Sequence, residues 1–189
     1  MSIDKLAIRR QIENACLIHS TLDTWHVADE ALALAKHGLP GFSASETLAK
    51  ASLVNSLYVT GVIAIVRVSM HFTEVLADTD LSSADAGLVM SLAAVPQGGA
   101  EKRPIRRISL AAKFAHFFID ETRFPIYDEF AIRMVAKLTD TPISHLSGDY
   151  VRFAAQFHEL AEALDLHEDR RRLDRYLWIQ GQYLEWLRR

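Results

Sequence analysis

Apolar residues recur at three- and four-residue spacing along nearly the whole chain, and no stretch alternates apolar with polar residues between hairpin turns. The pattern predicts an all-α protein without strands. A first helix is expected over Ser2 to about Ile18, with Leu6, Ile12, Ala15 and Cys16 on its apolar side, and a second from about Leu22 to His37. Gly38 and Pro40 stop the second, the glycine suiting a left-handed C-terminal residue and the proline forbidding continuation. Ser43 followed by Glu46 is a capping-box pattern, and the helix it opens should reach about Tyr58 before Thr60-Gly61 interrupts it.

The next helix is expected from Val62 to Ala77. Val62 to Met70 is apolar nearly all round, which predicts a central helix covered by protein on several sides, with Arg67 snorkelling to solvent. Asp80 to Ser83 offers caps for a helix ending near Val95, and Pro96 with Gly98-Gly99 marks a loop. A helix over Ile105 to Ile119 follows. Pro125 is expected to launch another with Asp128 in its first turn, and two more run over Asp149 to Leu164 and Glu168 to Leu187.

The 189 residues, half of them apolar, can bury a sizeable core, so one all-helical domain over residues 1–189 is expected, with a two-layer organisation and a cleft near residues 100–135. A net charge of −3 argues against a surface wholly devoted to nucleic acid but leaves room for local basic patches. The single cysteine, Cys16, excludes an intrachain disulfide or thiolate zinc site, and no signal-peptide core or membrane-length apolar run is present. A cytoplasmic protein without membrane contact is expected. No two histidines flank a carboxylate at zinc-hydrolase spacing, His158, Glu159 and Glu162 read as a solvated face, and neither a metal nor a cofactor is expected.

Chemistry concentrates between Ser109 and Val135. On a helical projection Ile105, Ile108, Ala111, Ala112, Ala115 and Ile119 share one side, while Leu110 and Phe117 lie opposite, near Arg106 and Lys113. A helix so wedged would shelter Lys113 from water, which lowers an amine's pKa unless an anion compensates and is how amines become nucleophiles. Asp128 is the expected anion, although Asp120, Glu121 and Glu129 compete for that role, and an acid at a helix start is also ordinary stabilisation of about 0.3–1 kcal/mol.

Lys113 on an apolar helix, the following aromatics, Phe124-Pro-Ile-Tyr-Asp128 and Arg133 five residues beyond resemble the helix-hairpin-helix DNA glycosylases, in particular the 8-oxoguanine glycosylase-like branch. The resemblance covers about 30 residues. It implies a compact helical domain of glycosylase-like arrangement, Lys113 as the Schiff-base lysine, Asp128 as the carboxylate assisting loss of the base, and Arg133 as the arginine beyond it. It also implies a nucleotide flipped out of double-stranded DNA. The family's glycine-rich hairpin turn corresponds here to Arg103-Pro-Ile-Arg-Arg-Ile-Ser109, which has no glycine, so Arg103, Arg106 and Arg107 are expected to contact phosphate directly. The function implied is DNA repair by removal of a damaged base.

The alternative is a catalytically silent helical interaction or defence module. The C-terminal Arg170-Arg171-Arg172 run with Arg175, Tyr176, Trp178 and Trp186 fits either a nucleic-acid surface or a helix packing its aromatic side inward, and that helix could pair with its copy in a homodimer.

Overall fold

The computed structural model describes residues 4–97 and 103–188. Gly98, Gly99 and Lys102 lie outside the described residues. The described chain is all-α apart from one two-stranded ladder: α1 (Lys5–His19), α2 (Asp23–Gly38), α3 (Ala44–Leu57), α4 (Ile65–Ala77), α5 (Ala86–Ala93), β1 (Ala94–Val95), β2 (Ile105–Arg106), α6 (Ile108–Phe118), α7 (Glu129–Thr139), α8 (Ile143–Leu146), α9 (Tyr150–Ala163) and α10 (Arg170–Trp186). It forms two compact units, one from residues 1–27 and 125–189, the other from Ala28–Phe124. The chain passes from one to the other inside α2 and again between Phe124 and Pro125.

In the outer unit, built from both chain ends, α10 packs on α1 and α7, and α7 packs on α9. Tyr127, Tyr150, Phe153 and Phe157 are buried, and the Tyr127 ring meets Phe153 edge-on at 5.0 Å between centroids. Gly181 of α10 lets that helix approach α7, because a Cβ there would stand 2.6 Å from Phe130 Cβ and 3.1 Å from its Cα. Gly181→Ala gains about 1 kcal/mol of helix propensity, whereas forcing a methyl against backbone-anchored atoms costs roughly 1–3 kcal/mol. The variant is therefore expected to unfold at a lower temperature than the parent, and a raised midpoint would refute the close approach.

In the middle unit α3 packs on α4 and α6, and α5 on α6. Phe114 lies 5.1 Å from Phe72 and 5.4 Å from Phe118 between ring centroids. Each ring so buried is worth about 1.5–3 kcal/mol of transfer free energy, which offsets the cost of placing Lys113 and His116 in the same helix. The all-round buried helix is thus α6 and not the segment expected from Val62. That stretch leaves Ile63 97%, Val66 59% and Met70 47% exposed. Its helix begins at Ile65 because Asn55 holds the preceding turn: its Nδ2 donates to the Val62 carbonyl at 2.9 Å, and its Oδ1 accepts from Thr60 Oγ1 at 2.6 Å and Val62 N at 2.9 Å.

Three other expectations are corrected. The chain contains strands: Pro96 and Pro104 bar a continuous helix, and Val95 pairs with Ile105 in an antiparallel ladder. Asp85, not the Asp80–Ser83 group, caps α5, because Asp80 accepts from the Ser82 and Ser83 hydroxyls within its own turn. Finally, α7 begins at Glu129 with Asp128 as its extended N-cap, and Pro125 lies in the segment before it. The capping box of Ser43 and Glu46 is present as expected, with the Glu46 carboxylate also accepting from Gly41 N at 3.0 Å.

The loop joining α4 to α5 is fastened to the end of the middle unit by Arg123. Its Nη1 donates to the carbonyls of Leu81 at 2.9 Å, Ser82 at 3.1 Å and Ala84 at 2.9 Å, while Nε and Nη2 grip Asp120 Oδ2 at 3.3 and 3.0 Å. Lys50 anchors the α2–α3 loop. It is 1% exposed, donates to the Gly41 carbonyl at 2.7 Å and lies 4.1 Å from the Phe42 ring centroid. Burial holds its pKa below the ordinary lysine value, partly countered by Glu46.

Candidate functional site

Lys113 projects from the middle of α6 and is 4% exposed, more deeply sheltered than the partly covered groove expected for it. Its Nζ donates to Ser109 Oγ at 2.8 Å, one turn earlier on the same helix. Residues four apart on a helix face one another, and Ser109 is the residue that puts a hydroxyl there. Arg103 and Arg106 are exposed just before α6, and Arg107 is its half-buried N-cap with no side-chain capping bond. The three arginines thus lie, in sequence, just ahead of the N-terminus of α6.

Asp128 belongs to the outer unit. Its Oδ1 accepts from Ala131 N at 2.9 Å, and its own carbonyl receives Ile132 N at 2.9 Å. Arg133, one turn into α7, is committed to carboxylates: Nη1 donates to Glu185 Oε2 at 2.8 Å, and Nη2 pairs with Glu129.

The residues just before Asp128 are tied down one by one by groups that the sequence did not single out. Phe124 donates its N–H to the Asp120 carbonyl at 3.1 Å, and its own carbonyl lies 2.8 Å from His116 Nδ1. The Tyr150 hydroxyl donates to the Pro125 carbonyl at 3.0 Å. Ile126 N donates to Asp174 Oδ1 at 3.2 Å. The Tyr127 hydroxyl donates to the Leu146 carbonyl at 3.0 Å and accepts from Gly148 N at 2.7 Å. Burial, with a further push from the Asp174 carboxylate, drives the Tyr150 pKa well above the ordinary phenol value, so that hydroxyl stays a proton donor. Burial likewise raises Tyr127, against the lowering effect of the Gly148 N–H. The segment Phe124–Asp128, outside any helix or strand, is thus held along its length up to Asp128, which is itself extended.

The family model HI_0787_N, an N-terminal domain, matches residues 11–122, more than half of the chain. The chain belongs to this family. The HI_0787_N match takes in nearly all of the middle unit, including Lys113 and His116, and stops just short of the segment that leads to Asp128. No curated protein and no solved structure matches the chain.

The remaining sequence candidates divide clearly. Tyr176 is buried with its hydroxyl donating to Gln11 Oε1 at 2.9 Å, and the Trp178 ring lies 4.6 Å from that of Trp25, so these two aromatics of α10 serve packing within the outer unit. Tyr183 and Trp186 remain exposed, at 51% and 70%. Arg170 pairs with Glu162 at 3.1 Å. Among the described residues no three His, Cys, Asp or Glu side chains gather to hold a metal ion, and no helix is long and apolar enough to cross a membrane.

Proposed function

We propose that this protein is a DNA-binding relative of the base-excision glycosylases, acting on a damaged nucleotide of a duplex with Lys113 as its nucleophile. The reading rests on the resemblance of Lys113, Phe124 to Asp128 and Arg133 to that family and on Arg103, Arg106 and Arg107 just ahead of α6; Lys113, 4% exposed and bonded to Ser109, has to be uncovered before a sugar can reach its nitrogen. Shelter from water is the setting in which an amine becomes a nucleophile, and cationic side chains at a helix start are suited to hold the backbone of the strand being attacked.

The chemistry follows from those groups. The Lys113 nitrogen attacks C1′, the bond from C1′ to the base breaks, and the base leaves with the electron pair and takes up a proton. In the family that the resemblance names, a carboxylate in the place of Asp128 supports the positive charge that grows on the sugar. The amine sheds its protons as the sugar ring opens, leaving an imine between Nζ and C1′ that borohydride reduces to a stable amine. Incubation with a duplex bearing 8-oxoguanine or an abasic site, followed by borohydride, is expected to yield a covalent protein–DNA adduct. No adduct on either duplex overturns the reading.

One observation favours a silent interaction module instead. Ile63, Val66 and Met70 expose a stripe of apolar surface at the start of α4, next to Val59 at 84% exposure. A protein that gives no adduct and no mobility shift with any duplex at low salt belongs to that class.

A further inference from the structure

The outer unit holds a pocket of about 340 Å³ between α7 and α10, its wall completed by Thr141 and Ile143. That volume stands at the small end of the roughly 300–1,000 Å³ typical of small-molecule sites. The helix pairing explains where it lies. α10 runs beside α7 in the same sense, with Gly181 against Phe130 and Glu185 bonded to Arg133. Gly181 brings the two helices together at one level, and the pocket opens beyond it, toward their C-terminal ends. Gly181, Leu184, Glu185 and Arg188 recur at three- and four-residue spacing and so present one face to it.

The wall is of two kinds. Met134, Ala136, Ile143 and Leu184 supply aliphatic surface, while Arg133, Lys137, Glu185 and Arg188 supply charge. Arg133 gives Nη1 to Glu185 and Nη2 to Glu129. Lys137 and Arg188 are exposed, and among the described residues neither forms an ion pair. Three cations thus stand against two carboxylates, with one positive charge in excess. Asp140, the C-cap of α7, lies outside the lining. The hydroxyl of Thr141 is already occupied, donating to Gln156 Oε1 at 3.2 Å and accepting from Thr139 Oγ1 at 2.9 Å. The polar groups left to a ligand are therefore cations.

We propose that this pocket binds a small monocarboxylate with an aliphatic body, the carboxylate met by Lys137 and Arg188 and the hydrocarbon laid on Met134, Ala136, Ile143 and Leu184. One negative charge cancels the excess, whereas a phosphate dianion overshoots it and leaves the aliphatic wall wet. A neutral polyol finds no free hydroxyl here and forfeits both cations. The proposal goes beyond the chemistry assigned to Lys113 and does not depend on it, since every lining residue belongs to the outer unit.

The test titrates the full chain with octanoate, 1-octanol and acetate, following heat and the backbone amide resonances. Octanoate is expected to saturate with a Kd below about 1 mM, a modest affinity for ten heavy atoms. Its shifts should centre on Ala136, Lys137, Thr141 and Leu184. Octanol should bind at least about tenfold more weakly, because it leaves two solvent-exposed cations without a counter-charge. Acetate, which lacks the hydrocarbon, should not saturate below about 10 mM.

Lys137→Glu is expected to weaken octanoate at least about tenfold while leaving octanol within about twofold. Ile143→Glu should weaken both, since it replaces part of the aliphatic wall. Should Lys137→Glu fail to fold, Arg188→Glu, beyond the last helix, takes its place with the same expected result. Octanol binding as tightly as octanoate, or octanoate binding unchanged by the charge reversal, overturns the assignment. So does saturation only above about 10 mM, or a set of shifts centred on Val59, Ile63 and Val66 instead of the pocket.

Discussion

Lys113→Ala is expected to abolish borohydride-trapped adduct while leaving the protein folded and able to shift the same duplex. Removal of a covalent nucleophile typically lowers turnover by orders of magnitude, so a fall of at least about 10³-fold is expected. The substitution also removes the long side chain of a buried residue. Its effect on stability is expected to be smaller than its effect on trapping, because the Ser109 hydroxyl that Nζ contacts is only half-buried and can turn to water. A Lys113→Ala protein that still forms adduct at the parental rate would remove the lysine from the mechanism.

The largest effect on stability is expected at Arg123. Arg123→Ala strips the donor from three carbonyls at once, those of Leu81, Ser82 and Ala84, and removes the partner of Asp120. Hydrogen bonds to charged groups are each worth about 1.5–3 kcal/mol. The guanidinium is 33% exposed, so water replaces part of what is lost and the net destabilisation is expected near 2–4 kcal/mol. Denaturant unfolding measures it, and a change below about 0.5 kcal/mol would contradict the role given to this residue.

The same site has an acid signature. Burial works to raise the Asp120 pKa, but hydrogen bonds from the side chains and backbone N–H groups of Thr122 and Arg123 outweigh it and lower the value from 3.8 to about 2. A carboxyl with a depressed folded pKa binds fewer protons folded than unfolded. Its contribution is therefore complete above pH 3.8 and is lost as the pH falls through that value toward about 2. The Arg123→Ala variant should show a shallower decline across this window than the parent.

The helices were legible wherever a cap announced them. Ser43 with Glu46 fixed the start of α3, and Asp149 that of α9, because those residues satisfy backbone donors within three positions of themselves. Legibility failed where distant groups decide. Nothing within helical reach of Val62 shows that Asn55 will claim its backbone, so the apolar run there reads as one buried helix, whereas its helix starts only at Ile65 and buries Val68 and Ser69 while Ile63, Val66 and Met70 stay exposed. Pro125 is a good first helical residue by local rules, yet Tyr150 and Asp174 hold its neighbourhood in a non-helical segment from 25 and 48 positions away.

The candidate site divides along the same line. The unusual lysine in an apolar helix was visible, as was the acid at a helix start, because each breaks or obeys a local rule. His116 was not, since a histidine among phenylalanines reads as core until its bond to the Phe124 carbonyl is seen. Arg133 stands at the offset from Asp128 that the resemblance gives. Its pairing with Glu185, 52 positions away, could not be read from the surrounding residues.

The most direct measurement is to digest the borohydride-trapped complex and locate the deoxyribose-derived mass by peptide sequencing. Attachment at Lys113 is the predicted result. Attachment at Lys50, at Lys137 or at the chain's terminal amine, with Lys113 unmodified, would contradict the account.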